Sequence, residues 1–114
     1  MTQVDKNLII FICNHGYAHE AMKQARKAGA RGGTILHGRS SVSQEKTKFF
    51  GIRIHPEKDV VMIVCRNEKT DDLMKALTKD YGVESQARGL AFSLKVTDEI
   101  GFSYEPLPPM EDEE

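Results

Sequence analysis

The chain has 114 residues, of which 39% are hydrophobic and 29% charged, and its formal net charge is -1. That length fits one small domain with a modest core, and no run of about 18 apolar residues is present to cross a membrane. The charge is uneven. Residues 105–114 hold five acids and no Lys or Arg, so residues 1–104 carry 16 basic and 12 acidic residues, a net +4. A mildly basic body suits an anionic small ligand, and without aromatic–basic interleaving it does not argue for nucleic acid.

Met1 to Lys6 leads straight into strand-like sequence without a signal-peptide pattern, so a cytoplasmic location is expected. From Asn7 to Cys13 the chain is continuously apolar and rich in β-branched residues, which predicts a central strand buried on both faces. His15-Gly16 turns the chain. From Tyr17, Ala18, Met22, Ala25 and Ala28 fall on one helical stripe, with Lys23, Arg26 and Lys27 facing water and Gly29 as the stop. Thr34 to Gly38 reads as a second strand, Arg39 to Lys48 as a polar loop, and Phe49 to Ile54 as an extended return. Pro56 to Asp59 reads as a turn before Val60 to Cys65, the most strand-like run in the chain.

Thr70-Asp71-Asp72 predicts a helix start, with a capping hydroxyl and two acids in the first turn. Leu73, Met74, Leu77 and Tyr81 form its buried stripe, and Gly82 ends it. Ser85 to Gly89 is a polar link, and Leu90 to Val96 is the last strand. The order strand, helix, strand, strand, helix, strand predicts an α+β, ferredoxin-like βαββαβ sandwich, with an antiparallel four-stranded sheet and two helices on one face. The expected boundaries are a domain over 1–104, with a mobile loop at 39–50, and an acidic, proline-rich disordered tail over 105–114. Cys13 and Cys65 have no CxxC spacing and each closes a strand, so they are expected at opposite edges of the sheet, reduced and buried.

The glycine-rich stretch Gly29-Ala30-Arg31-Gly32-Gly33-Thr34 after the first helix carries a family resemblance. So do the polar loop between strands two and three, the strand Val60-Val61-Met62-Ile63-Val64 and the turn Arg88-Gly89-Leu90-Ala91-Phe92. Over about residues 5 to 102 the chain resembles the nitrogen-regulatory P-II signal-transduction proteins, more closely their divergent P-II-like relatives. The resemblance implies a homotrimer that binds an adenine nucleotide (ATP, ADP or AMP) in clefts between subunits. It also implies a signalling loop that docks on a membrane transporter or metabolic enzyme, in nitrogen or related metabolism.

Carried over by position, the resemblance assigns Thr34, Val64 and Gly89 to the nucleotide. It assigns residues 40–50, with Ser40, Ser41, Ser43, Lys46, Thr47 and Lys48, to the signalling loop. The phosphate-contacting lysine that the family places directly after the glycine is Leu90 here, and beyond the last strand only Lys95 stands where the family has paired arginines. Arg31, Arg39 and Arg88, with Gly38 beside Arg39, are the candidates to supply the missing charge, since a guanidinium suits phosphate.

The four histidines read less specifically. His15 and His19 are four apart with Gly16 between them, and His37 and His55 are isolated, so no metal set is expected from spacing alone. His37, beside the cleft, is a candidate to make ligand binding pH-sensitive. No nucleophile–base arrangement or paired carboxylates emerge, so an enzyme is not expected. The alternatives are a divalent-metal-binding trimer of the cation-tolerance type, using the histidines, and a ligand-free interaction domain.

Overall fold

The computed structural model describes residues 5–41, 48–49, 52–53 and 56–101. Its elements are β1 (Lys6–Asn14), α1 (Ala18–Lys27), β2 (Thr34–Arg39), β3 (Lys48–Phe49), β4 (Ile52–Arg53), β5 (Glu57–Arg66), α2 (Thr70–Lys79) and β6 (Leu90–Val96). Four strands form one antiparallel sheet in the order β2-β5-β1-β6, and β3 and β4 pair as a separate small hairpin. This is the ferredoxin-like arrangement expected.

Side-chain alternation divides the sheet into two unlike faces. Ile9, Phe11 and Cys13 of β1, and Val61, Ile63 and Cys65 of β5, are buried beneath the helices. The helices close that face with small and branched residues: Ala18, Ala21, Met22 and Ala25 from α1, and Leu73 and Leu77 from α2. Truncating a fully buried ring such as Phe11 in this layer costs about 3–5 kcal/mol.

The opposite face has no covering layer among the described residues. The register puts Leu8 beside Val64 and Leu94, Ile10 beside Met62 and Phe92, and Ile12 beside Val60 and Leu90. β2 adds Thr34 beside Met62 and Leu36 beside Val60. Leu36 and Leu94 are each 49% exposed and Leu90 is 60% exposed. The expectation that β1 is buried on both faces is therefore corrected: within one chain only its helix-facing side is buried.

Four further corrections concern local chemistry. Glu57, Lys58 and Asp59 belong to β5 rather than to a turn, because β2 pairs with them from His37 to Arg39. The return segment after the polar loop forms the β3–β4 hairpin. Lys23 and Arg26 are half-buried rather than facing water. Thr70 is not an N-cap: the chain enters α2 through a 3-10 turn, Asn67–Lys69, and Lys69 occupies the cap position. The Thr70 hydroxyl instead accepts the Asn7 side-chain amide at 2.8 Å, tying the start of α2 to β1.

Both cysteines are free and buried. They stand on adjacent strands, not at opposite edges, and the antiparallel register keeps them apart: Cys13 pairs with Asp59, whereas Cys65 pairs with Asn7. Burial, reinforced by the Asp59 charge and partly opposed by Lys58, pushes the Cys13 thiol up to about 11, and burial likewise raises Cys65. At pH 8 a thiol reagent is expected to label neither cysteine in the native chain and both in guanidinium. Rapid native labelling of either would contradict this packing.

Candidate functional site

Three of the residues assigned to the nucleotide share the open face. Thr34 and Gly38 lie on edge strand β2, and Val64 lies two strand positions beyond Met62 on β5. Arg39 pairs with Glu57 and so belongs to the helix-facing side. Arg88 and Gly89 lie on the turn into β6, at the opposite edge of the sheet. Three inter-strand spacings, about 14 Å, separate β2 from β6. One chain therefore cannot bring Thr34 and Gly89 onto the same phosphate.

The turn before β6 is built from its own backbone. The Ser85 hydroxyl donates to the Gly82 carbonyl at 2.7 Å and accepts the Ala87 amide at 3.1 Å. Gly89 is held more tightly still. Its amide donates to the Tyr81 carbonyl at 3.0 Å, and a Cβ there would lie 2.1 Å from that oxygen and 2.4 Å from Phe11 Cζ. Glycine is thus required by packing, and its N–H is already taken by the Tyr81 carbonyl. Arg88 adopts a left-handed φ of 51°, which is unfavourable for a non-glycine residue. Its guanidinium Nη1 folds back toward the Val83 carbonyl at 3.4 Å.

A hollow of about 610 Å3 lies between the end of α2 and this turn, lined by Thr78, Lys79, Val83, Ser85 and Leu90 among others. Lys79 is the one cation in that lining, against Asp80 and Glu84. Among the described residues, the lining of this hollow is poorly charged for a polyphosphate.

Of the signalling-loop residues, Ser40 is anchored at the root, where its amide donates to the Pro56 carbonyl at 2.8 Å. Ser41 is exposed, and Lys48 opens β3. Ser43, Lys46 and Thr47 lie outside the described residues, as do His55 and the acidic tail.

The histidines are where spacing misleads. His37 is not isolated: its ring meets that of His15 edge to face, with centroids 4.5 Å apart. Between them sits the buried Asp59. Its Oδ1 is 3.0 Å from Nδ1 of both His15 and His37, and its Oδ2 accepts the Gly16 amide at 3.1 Å. His37 Nε2 is 3.2 Å from Glu57 Oε1. Nearby, Lys58 Nζ donates to Asn14 Oδ1 at 2.7 Å. Only the pairing of β2 with β5 could have revealed this cluster, because it places His37 directly opposite Asp59.

No protein-family model matches the chain, and no curated protein matches it. Solved structures do. A PII-like signalling protein from Thermus thermophilus superposes with a TM-score of 0.61 at 16% identity, covering 84% of this chain and 91% of that one. The CPII protein of Thiomonas intermedia, bound to ADP, AMP and acetate, gives 0.59 at 15% identity over 86% and 94%. The GlnK–ATP complex of B. subtilis gives 0.61 at 13% identity over 85% and 86%. The chain thus has the fold of the PII-type signalling proteins. No helix among the described residues is long and apolar enough to span a membrane.

Burial pushes the Asp59 carboxyl up, but the hydrogen bonds from His37, His15 and the Gly16 amide, with the His15 charge, outweigh it and hold the group at about 2. An unfolded aspartate titrates near 4. The folded value is the lower one, so the stabilisation is present above about pH 4 and is lost as pH falls toward 2. His15 is raised by the same bond to Asp59, so its contribution has the opposite sign: present below about 6.5 and fading above it. Melting temperatures measured from pH 4 to pH 2 are expected to fall more steeply for the native chain than for Asp59→Asn. Equal slopes would contradict the shared-carboxylate geometry.

Proposed function

We propose that this chain is a PII-like regulatory protein, not an enzyme, which works as a homotrimer and binds an adenine nucleotide between subunits. The observation that carries the reading is the separation of Thr34 and Gly38 from Arg88 and Gly89 on opposite edges of one sheet. Within the PII-type fold, packing of open faces would bring the β2 edge of one subunit to the β6 edge of the next. The apolar face supports this: Leu36, Leu90, Phe92 and Leu94 are 39–60% exposed, so burying the remainder of each contributes about half of the 1.5–3 kcal/mol that full burial gives. Two neighbours of the same fold carry ADP and AMP, or ATP.

In this arrangement Thr34 and Val64 line the base side of the cleft. Arg88 of one subunit supplies charge that a lysine at position 90 would have given, and Arg39 of the next joins it by reaching round the β2 edge from the helix-facing side. Gly89 serves as the close-packed pivot that sets the turn's position. The ligand's phosphates bear on Arg39, at the root of the 40–50 segment, so nucleotide state can bias that segment toward or away from a partner transporter or enzyme. Such a switch requires a ligand with different affinities for the two loop states. Cytoplasmic action in nitrogen or related metabolism follows the same analogy.

Titration calorimetry with ATP, ADP and AMP tests this. At least one nucleotide should bind the native chain, and Arg39→Ala and Arg88→Ala should each weaken it at least about 10-fold, as loss of a charge-assisted contact does. Phe92→Asp, on the open face and outside the cleft residues, should dissociate the assembly and abolish binding with it. Native affinity retained in a Phe92→Asp monomer would overturn the two-subunit site.

A further inference from the structure

The cluster around Asp59 is not used by the nucleotide reading, and its geometry has its own logic. An ionised carboxylate only accepts hydrogen bonds, so the two 3.0 Å contacts to Asp59 Oδ1 place a proton on Nδ1 of both His15 and His37. The Nε2 of His15 is thereby left as a lone-pair donor, whereas the Nε2 of His37 faces Glu57 Oε1 at 3.2 Å, a spacing that either a proton or a metal ion bridges. A buried carboxylate that orients histidines in this way is the usual outer-shell partner of a metal ligand. The Asp59 side chain is 9% exposed, whereas His15, His37 and Glu57 are each more than half exposed and open to solvent.

The donor atoms of His15, His37 and Glu57 all lie within 4.8 Å of one another. A tetrahedral ion with bonds of about 2.0–2.1 Å needs its ligands about 3.3–3.4 Å apart. His37 Nε2 and Glu57 Oε1, at 3.2 Å, already meet that spacing. A ring nitrogen of His15 lies within 4.8 Å of the other two donors, so a side-chain rotation is what completes the set. Its backbone is meanwhile held, since the His15 amide donates to the Glu57 carbonyl at 3.1 Å. Two imidazoles and one carboxylate suit a borderline divalent transition ion with an open position, zinc above all. Magnesium and calcium prefer oxygen-only sets, and no thiolate is available to favour copper(I).

We propose that His15, His37 and Glu57 form a divalent transition-metal site of the two-histidine, one-carboxylate type, with Asp59 as the positioning residue. The ion joins the β1–α1 turn to the last residues of β2 and the first of β5. Those two strand ends flank residues 40–56, whose root is already clamped by the Ser40–Pro56 hydrogen bond. Metal occupancy therefore stiffens the base of the segment to which the nucleotide reading assigns signalling. The site itself does not depend on that reading.

The test is titration calorimetry of the metal-stripped full chain with zinc chloride and, separately, with magnesium chloride. One zinc per chain should bind stoichiometrically at micromolar protein, and magnesium should give no binding. His15→Gln and His37→Gln should each weaken zinc at least about 100-fold, Asp59→Asn about 10- to 100-fold, and His19→Gln not at all. Equal zinc affinity in the native chain and the His15→Gln/His37→Gln double variant would overturn the site, as would an equal loss in His19→Gln. Cobalt(II) added to the native chain checks the result without any variant. Intense visible bands of four- or five-coordination support the site, and the weak spectrum of the hexa-aqua ion contradicts it. ADP affinity measured on the metal-stripped chain keeps this outcome separate from the fate of the nucleotide reading.

Discussion

Nine consecutive residue pairs, from Lys6–Arg66 to Asn14–Lys58, join β1 to β5, and a slip of one residue would turn every side chain of one strand to the wrong face. The register is strongly specified because the two faces have different tasks. One takes Ile9, Phe11, Val61 and Ile63 under the helices; the other gathers Leu8, Ile10, Val60 and Met62 into a layer left open in a single chain. The same ladder fixes the sheet end where Asp59 stands opposite Cys13 on one side and His37 on the other.

Two proposed functional regions grow from that one constraint, and they differ in kind. Apart from Val64 on the inner strand β5, the residues proposed for the nucleotide stand at the β2 and β6 edges of the sheet, so the proposed site needs a second subunit to complete it. The histidine cluster is complete within a chain, because β2, β5 and the β1–α1 turn converge on one buried carboxylate. Both meet at Arg39 and Glu57, which pair across the root of the segment that follows β2.

The fold is largely legible in the sequence, since its strands are apolar runs and its helices carry clean stripes; Gly29 follows the end of the first, but the second stops at Lys79, short of Tyr81 and Gly82. The failures have physical reasons. Glu57-Lys58-Asp59 has the polarity of a turn, and only pairing with His37 to Arg39 makes it strand. Thr70 looks like a cap by residue type, but Asn7 claims its hydroxyl across 63 positions of sequence. Gly89 looks like a phosphate residue, and its tightest constraint proves to be the Phe11 ring and the Tyr81 carbonyl. His15 and His37 lie 44 and 22 residues from Asp59, so no helical or strand period connects them. A site built from non-periodic residues emerges only once the register is known.

If this sheet carries half-sites that a neighbouring subunit completes, native mass spectrometry of the full chain, with and without ADP, is where it shows. The account predicts an assembly of three times the 12.8 kDa chain mass, taking up as many as three nucleotides and releasing them when it dissociates. A monomer that binds ADP one to one would contradict it.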